Sequence, residues 1–219
     1  MKQLALAILC MTLITAVEAQ DFNFGVTAGP NLSTARITEG DGEYIDDIKQ
    51  PAYVIGFYIG GFAELGLTDK FSLRPELLYT QLGYRYAAEE GVNGFRLKSG
   101  YITLPVFAEY SITEKLKAGL GLYFSAKLTA KAKSISSSDD DLEEYPDEWF
   151  DYYTLDKEEY KTFDFGLGIG LGYLIRPRLG VNLRYSHGLA NIWDHGGGGY
   201  NRSFRLGVSY ALPLNKGKK

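Results

Sequence analysis

Apolar residues recur at every second position along most of the chain, in eight runs at 22–32, 53–67, 71–86, 100–112, 116–130, 162–175, 179–192 and 202–214. A period of two is the signature of a β-strand with one face in an apolar medium. The connections then alternate strictly in length. Residues 68–70, 113–115 and 176–178 are of hairpin length, whereas 33–52, 87–99, 131–161 and 193–201 are long. An even number of strands with short turns at one end and long loops at the other predicts an all-β chain, an eight-stranded antiparallel up-and-down transmembrane β-barrel. The runs are long enough for this, since about nine to eleven tilted residues cross a bilayer.

The choice between a membrane barrel and a soluble one turns on which face is apolar. In the fifth run Leu116, Ala118, Leu120, Leu122, Phe124, Ala126 and Leu128 alternate with Lys117, Gly119, Gly121, Tyr123, Ser125 and Lys127. In the sixth, Phe163, Phe165, Leu167, Ile169 and Leu171 alternate with Asp164 and four glycines, and in the seventh Leu179, Val181 and Leu183 alternate with Asn182 and Arg184. The second set is charged or too small to fill a core, so the apolar stripe faces lipid.

The same parity turns Glu64, Arg74, Glu76, Glu109, Lys117, Lys127, Asp164, Arg184 and Arg205 inward. An eight-stranded barrel has room for side chains and little else. Four acids and five bases enclosed there are expected to pair with one another, with inward glycines leaving space for the larger side chains. The expected lumen is plugged. Aromatic residues are expected in two girdles: Tyr53, Tyr84, Tyr86, Tyr101, Phe163 and Trp193 at the long-loop end, and Phe22, Phe24, Phe71, Tyr110, Tyr173 and Tyr210 at the short-turn end.

Residues 1–19 read as a secretory signal: Lys2 precedes an apolar stretch from Leu4 to Val17, and Ala19 closes a small-residue exit. The expected division is a signal peptide at 1–19 and a barrel domain at 20–219. The single cysteine, Cys10, lies in the signal, so no disulfide is expected.

Little in the sequence suggests chemistry. The Gly-rich run from Gly166 to Gly172 has Leu171 where a dinucleotide loop needs glycine, and it alternates like a strand. Ser186 and His187 are adjacent in a strand and so point to opposite faces, which excludes a nucleophile–base pair between them. Two histidines and no mature cysteine argue against a zinc site, and no basic, aromatic-interleaved stripe suggests nucleic acid. No enzymatic activity and no cofactor are expected.

The third long loop is strongly acidic. Eleven acids face three lysines between positions 131 and 160, a net charge of −8. Its Asp139, Asp140, Asp141, Glu143 and Glu144 are weak candidates for binding a divalent cation, without the spacing of an EF-hand loop. The simpler expectation is a solvated extracellular loop.

Three segments carry a family resemblance. Phe24-Gly25-Val26-Thr27-Ala28-Gly29-Pro30-Asn31-Leu32-Ser33, Arg74-Pro75-Glu76-Leu77-Leu78-Tyr79 and Tyr101-Ile102-Thr103-Leu104-Pro105-Val106 resemble the first, third and fourth strands of the "porin family" outer-membrane β-barrel proteins of Bacteroidota. Arg205-Leu206-Gly207-Val208-Ser209-Tyr210-Ala211-Leu212 resembles the terminal signal read by the barrel-assembly machinery, although Pro213, Leu214 and a basic tail follow it. The resemblance implies a small barrel of the cell outer membrane and says little about activity. Expected partners are outer-membrane lipid and lipopolysaccharide, the assembly machinery during biogenesis, and an extracellular protein or polymer ligand, around a monomeric barrel. The role expected is structural or surface-interacting, through the extracellular loops. The alternatives are a small-solute porin and an accessory barrel of a secretion system.

Overall fold

Eight strands close on themselves in chain order, each paired antiparallel with its sequence neighbours and the last with the first. They are β1 (Phe22–Thr38), β2 (Ala52–Gly66), β3 (Phe71–Tyr86), β4 (Gly94–Ser111), β5 (Leu116–Ile135), β6 (Phe163–Arg176), β7 (Leu179–Gly188) and β8 (Gly198–Ala211). The computed structural model describes residues 22–38, 51–87, 94–135, 161–193 and 197–213. The expected leader at 1–19 and the acidic residues Asp139, Asp140, Asp141, Glu143 and Glu144 lie outside the described residues.

Two of the short turns share a construction that the sequence repeats. In Thr68-Asp69-Lys70 the Thr68 hydroxyl accepts from the amides of Lys70 and Phe71 at 3.3 and 3.0 Å. In Thr113-Glu114-Lys115 the Thr113 hydroxyl accepts from Lys115 and Leu116 at 3.2 and 3.0 Å. A threonine at the head of the turn thus satisfies amides that have left the ladder. The third turn instead follows Pro177 with Arg178 at a left-handed φ of 76°.

Strand boundaries differ from the sequence expectation at the long-loop end. β4 begins at Gly94 and β5 runs to Ile135, so the pair continues well past the apolar stripe. β1 likewise extends to Thr38 against the start of β8, while β7 stops at Gly188. Alternation of apolar residues marks only the part of a strand that touches lipid; pairing itself continues wherever two backbones stay in reach.

Two irregularities matter for what faces where. Between Gly100 and Tyr101 of β4, partners on β5 jump from Thr129 to Lys127, leaving Leu128 as an extra residue. Such a bulge reverses side-chain parity beyond it. Between Tyr53 and Tyr58, β2 slips against β3. There β1 reaches across: Asn31 Nδ2 donates to the Gln81 carbonyl at 2.6 Å, and the Ser33 hydroxyl both donates to the Gly83 carbonyl and accepts from its amide.

The outer wall is apolar. Leu77, Leu120, Leu122, Phe124, Phe163, Ile169 and Leu206 are all exposed on it. Phe22, Phe24, Phe71, Tyr110, Tyr173 and Tyr210 form the girdle expected at the short-turn end, with Phe71 and Tyr110 rings 5.0 Å apart. The girdle expected at the other end is corrected. Tyr53 and Phe163 face outward there, but Tyr84 and Tyr101 are buried on the inner face, and Tyr86 and Trp193 pack with Phe95 against an inner cluster of Ala35, Ile37, Tyr84 and Leu97. Position near a strand end does not decide side-chain direction; the period-two parity does, and both tyrosines fall on its inward phase.

Candidate functional site

The interior is built in layers, and it is here that the enclosed charges meet. Three inward aromatics, Tyr58 and Phe62 on β2 and Phe107 on β4, carry the middle layer. Each has an arginine on its face: Arg74 lies 3.8 Å from the Phe62 centroid, Arg184 4.2 Å from Phe107 and Arg205 5.4 Å from Tyr58. Cations over aromatic faces, out of water, are attracted by the ring quadrupole.

Carboxylates complete the same units. Arg74 donates through Nε to Glu76 at 3.0 Å and stands 3.9 Å from Glu64, which also pairs with Lys117. Arg184 pairs with Glu109, and Arg205 reaches the other oxygen of Glu76 at 3.7 Å. The sequence Phe-Ala-Glu occurs twice, at 62–64 and 107–109, and each copy presents its phenyl ring and carboxylate inward to one arginine. That repeat was the signal by which the inward rings could have been read from sequence.

Glycines make the arrangement possible. A Cβ on Gly207 would collide with the Tyr58 hydroxyl, one on Gly121 would stand 2.8 Å from the Phe107 ring, and one on Gly25 2.7 Å from Phe62. The inward glycines of β6 serve likewise: Gly168 lies under Phe107, Gly166 under Tyr123 and Gly170 under Arg184.

Seven of the nine expected lumen charges therefore come together: Glu64, Arg74, Glu76, Glu109, Lys117, Arg184 and Arg205. Lys127 is opposite the inward Tyr101 on the next level. Asp164 is a correction to the picture of charges paired only with charges. Its carboxylate accepts from the Asn201 amide at 2.9 Å and the Tyr123 hydroxyl at 3.2 Å, a neutral pocket toward the long-loop end. The shift along the axis explains it: Asp164 opposes Ser125 near the top of β6, while the arginines project from lower on β3, β7 and β8.

Above the arginines the space narrows to a void of about 20 Å³ among Thr80, Thr103, Tyr123, Ser125 and Ser203. Further along the strands toward the long loops, Ala35, Ile37, Tyr84 and Leu97 form a buried apolar cluster. Below them a recess of about 320 Å³ opens toward the short turns, lined by Glu64, Arg74, Glu109, Lys115, Lys117 and Asn182. Ser186 and His187 do turn to opposite sides: Ser186 lines the small void, while the His187 ring sits 3.2 Å from the Tyr185 hydroxyl.

Among solved structures, Neisserial surface protein A is similar over 86% of this chain and 97% of its own, at 17% identity and a TM-score of 0.49. Ail of Yersinia pestis, in complex with the heparin analogue sucrose octasulfate, is similar over 88% of this chain and 99% of its own, at 13% identity and a TM-score of 0.43. Outer Membrane Protein W of E. coli gives 89% and 100%, 14% identity and 0.41. No curated protein matches in sequence. The architecture rests on this chain's own strand pairing, and a family model describing an outer membrane protein β-barrel domain matches residues 18–194. The chain belongs to the outer membrane protein β-barrel domain family, which places it in the outer membrane.

Proposed function

We propose that this protein is a sealed barrel, with short turns in the periplasm and long loops outside, that acts through what its outer rim and loops bind and passes no solute. One observation carries the reading. Phe62, Phe107, Arg74, Glu76, Glu109, Arg184 and Arg205 each keep no more than 7% of their surface exposed in the middle of the lumen. A water-filled path would wet some of these groups, and wide aqueous channels belong to barrels of roughly sixteen strands. The resemblance of three strand motifs to the Bacteroidota "porin family" supports the membrane setting; the word porin describes that family's label. On this reading the protein is a monomer without cofactor or catalytic chemistry, delivered by a cleaved leader and the barrel-assembly machinery.

Planar-bilayer recording on purified, refolded protein is the test. Electrical silence is the expected result. A stable unit conductance would overturn the sealed lumen and restore the small-solute alternative.

A further inference from the structure

Charge is sorted by face in this barrel. Among the described residues every acid is either inside, as Glu64, Glu76, Glu109 and Asp164 are, or on a short turn, as Asp69 and Glu114 are. Among the described residues, the charged groups on the outer wall toward the long loops are all bases. On β3, β4 and β5 these are Arg85, Arg96, Lys98 and Lys131.

Their register is unusual. Arg85 is directly opposite Arg96, and Lys98 directly opposite Lys131. Like charges facing each other across a ladder repel, with Cβ atoms about 5 Å apart. Two such pairs side by side form one basic row, which needs a counter-anion of its own. The bulge at Leu128 creates half of it. Continued parity from Lys127 would turn Lys131 inward, and the extra residue brings it out beside Lys98 instead. Arg85, Lys98 and Lys131 are exposed, and Arg96 is half-buried with its Nε unpartnered among the described residues.

The row also has a fixed height. Below it the wall is apolar, with Leu77, Ile102, Leu104, Leu122 and Phe124 exposed. A seam follows, where the Tyr79 hydroxyl lies over Gly100 beside the Thr129 hydroxyl. Lys98 is four residues beyond Ile102, about 13 Å along a tilted strand, which sets it at the level of lipid headgroups.

We propose that Arg85, Arg96, Lys98 and Lys131 form a clasp on the barrel wall for the phosphate groups of lipopolysaccharide, whose acyl chains lie along the apolar band beneath. Guanidinium groups bind phosphate in forked geometry and ammonium groups as point charges, so a row of both suits a lipid with more than one phosphate. The inference rests on the proposed orientation, because only the outer leaflet presents that lipid.

The test uses the refolded full chain, titrated with rough-type lipopolysaccharide, with its enzymatically dephosphorylated form and with phosphatidylglycerol. The expected result is a preference for the phosphorylated lipopolysaccharide over both. The triple variant R85Q/K98Q/K131Q should bind it about a hundredfold more weakly, taking each basic group near an anionic surface at its usual weight. A pair of substitutions on exposed bases at the other rim, K70Q/R176Q, should leave binding unchanged. Heat-modifiable gel mobility verifies that each variant is folded. Equal binding by wild type and triple variant overturns the clasp, whether the acidic segment 136–160 covers the row or headgroups are bound elsewhere. Equal binding of phosphatidylglycerol overturns its selectivity. Failure here with a silent bilayer would leave the sealed barrel standing, while a conducting protein that binds lipopolysaccharide through this row would do the reverse.

Discussion

The guanidinium carbon of Arg184 lies 4.2 Å from the centre of the Phe107 ring while the same guanidinium bonds Glu109, two residues further along β4. Glu109 and Arg184 are each about 2% exposed. Removing one partner of such a pair leaves the other charge buried and uncompensated. Glu109→Gln is expected to cost about 3 to 5 kcal/mol in urea unfolding from detergent or vesicles. Asp69→Asn, on an exposed turn, should stay within about 0.5 kcal/mol. Equal, small effects at both positions would mean that the lumen is wet.

Asp164 should respond differently from Glu109. Its partners are an amide and a hydroxyl, both of which can also donate to the carbonyl oxygen of an asparagine. Asp164→Asn is therefore expected to change stability by no more than about 1 kcal/mol, or to raise it, since a neutral group is less costly to enclose than an ion. Unfolding of this variant beside Glu109→Gln in the same lipid gives the comparison; a loss as large as that of Glu109→Gln would reveal a cation at Asp164.

Two glycines within strands should behave in opposite ways. Gly207 has the Tyr58 hydroxyl over it and the Ala28 carbonyl 2.7 Å from where its Cβ would stand, whereas at Gly61, on the lipid-facing side, the nearest atom is 3.6 Å away. Gly207→Ala is expected to lose about 1 to 3 kcal/mol by overpacking, and Gly61→Ala to be neutral or to gain up to about 1 kcal/mol through lost backbone freedom in the unfolded chain. Midpoints of urea unfolding would separate them.

The outward stripe of β5 predicts a depth-dependent penalty. Leu122 is 52% exposed and central in the apolar part of its strand. Leu122→Arg should cost about 2 to 4 kcal/mol in lipid vesicles, as arginine does near a bilayer midplane. In a lipid-free refolding screen the same residue would meet water and the penalty would vanish, so unfolding in vesicles is the decisive measurement; a neutral result there would place this face out of the lipid.

The number of strands, the alternation of short turns with long loops, and the inward set from Glu64 to Arg205 were legible in the amino-acid order, because period-two alternation and turn composition are local properties. Local order could not reveal which charge meets which. Glu109 and Arg184 are 75 residues apart, and only closure of the ring brings β4 and β7 to face each other across the lumen. Register decided the rest. One extra residue at Leu128 turns Lys131 from the inside to the outside, and the pairing of β4 with β5 beyond the apolar stripe lines up bases that are far apart in sequence. The inner cluster of Ala35, Ile37, Tyr84 and Leu97 drew on three strands whose ends carry no common pattern. Alternation specifies the face of each residue relative to its neighbour, while its height and its partner follow from how eight strands stagger when they close.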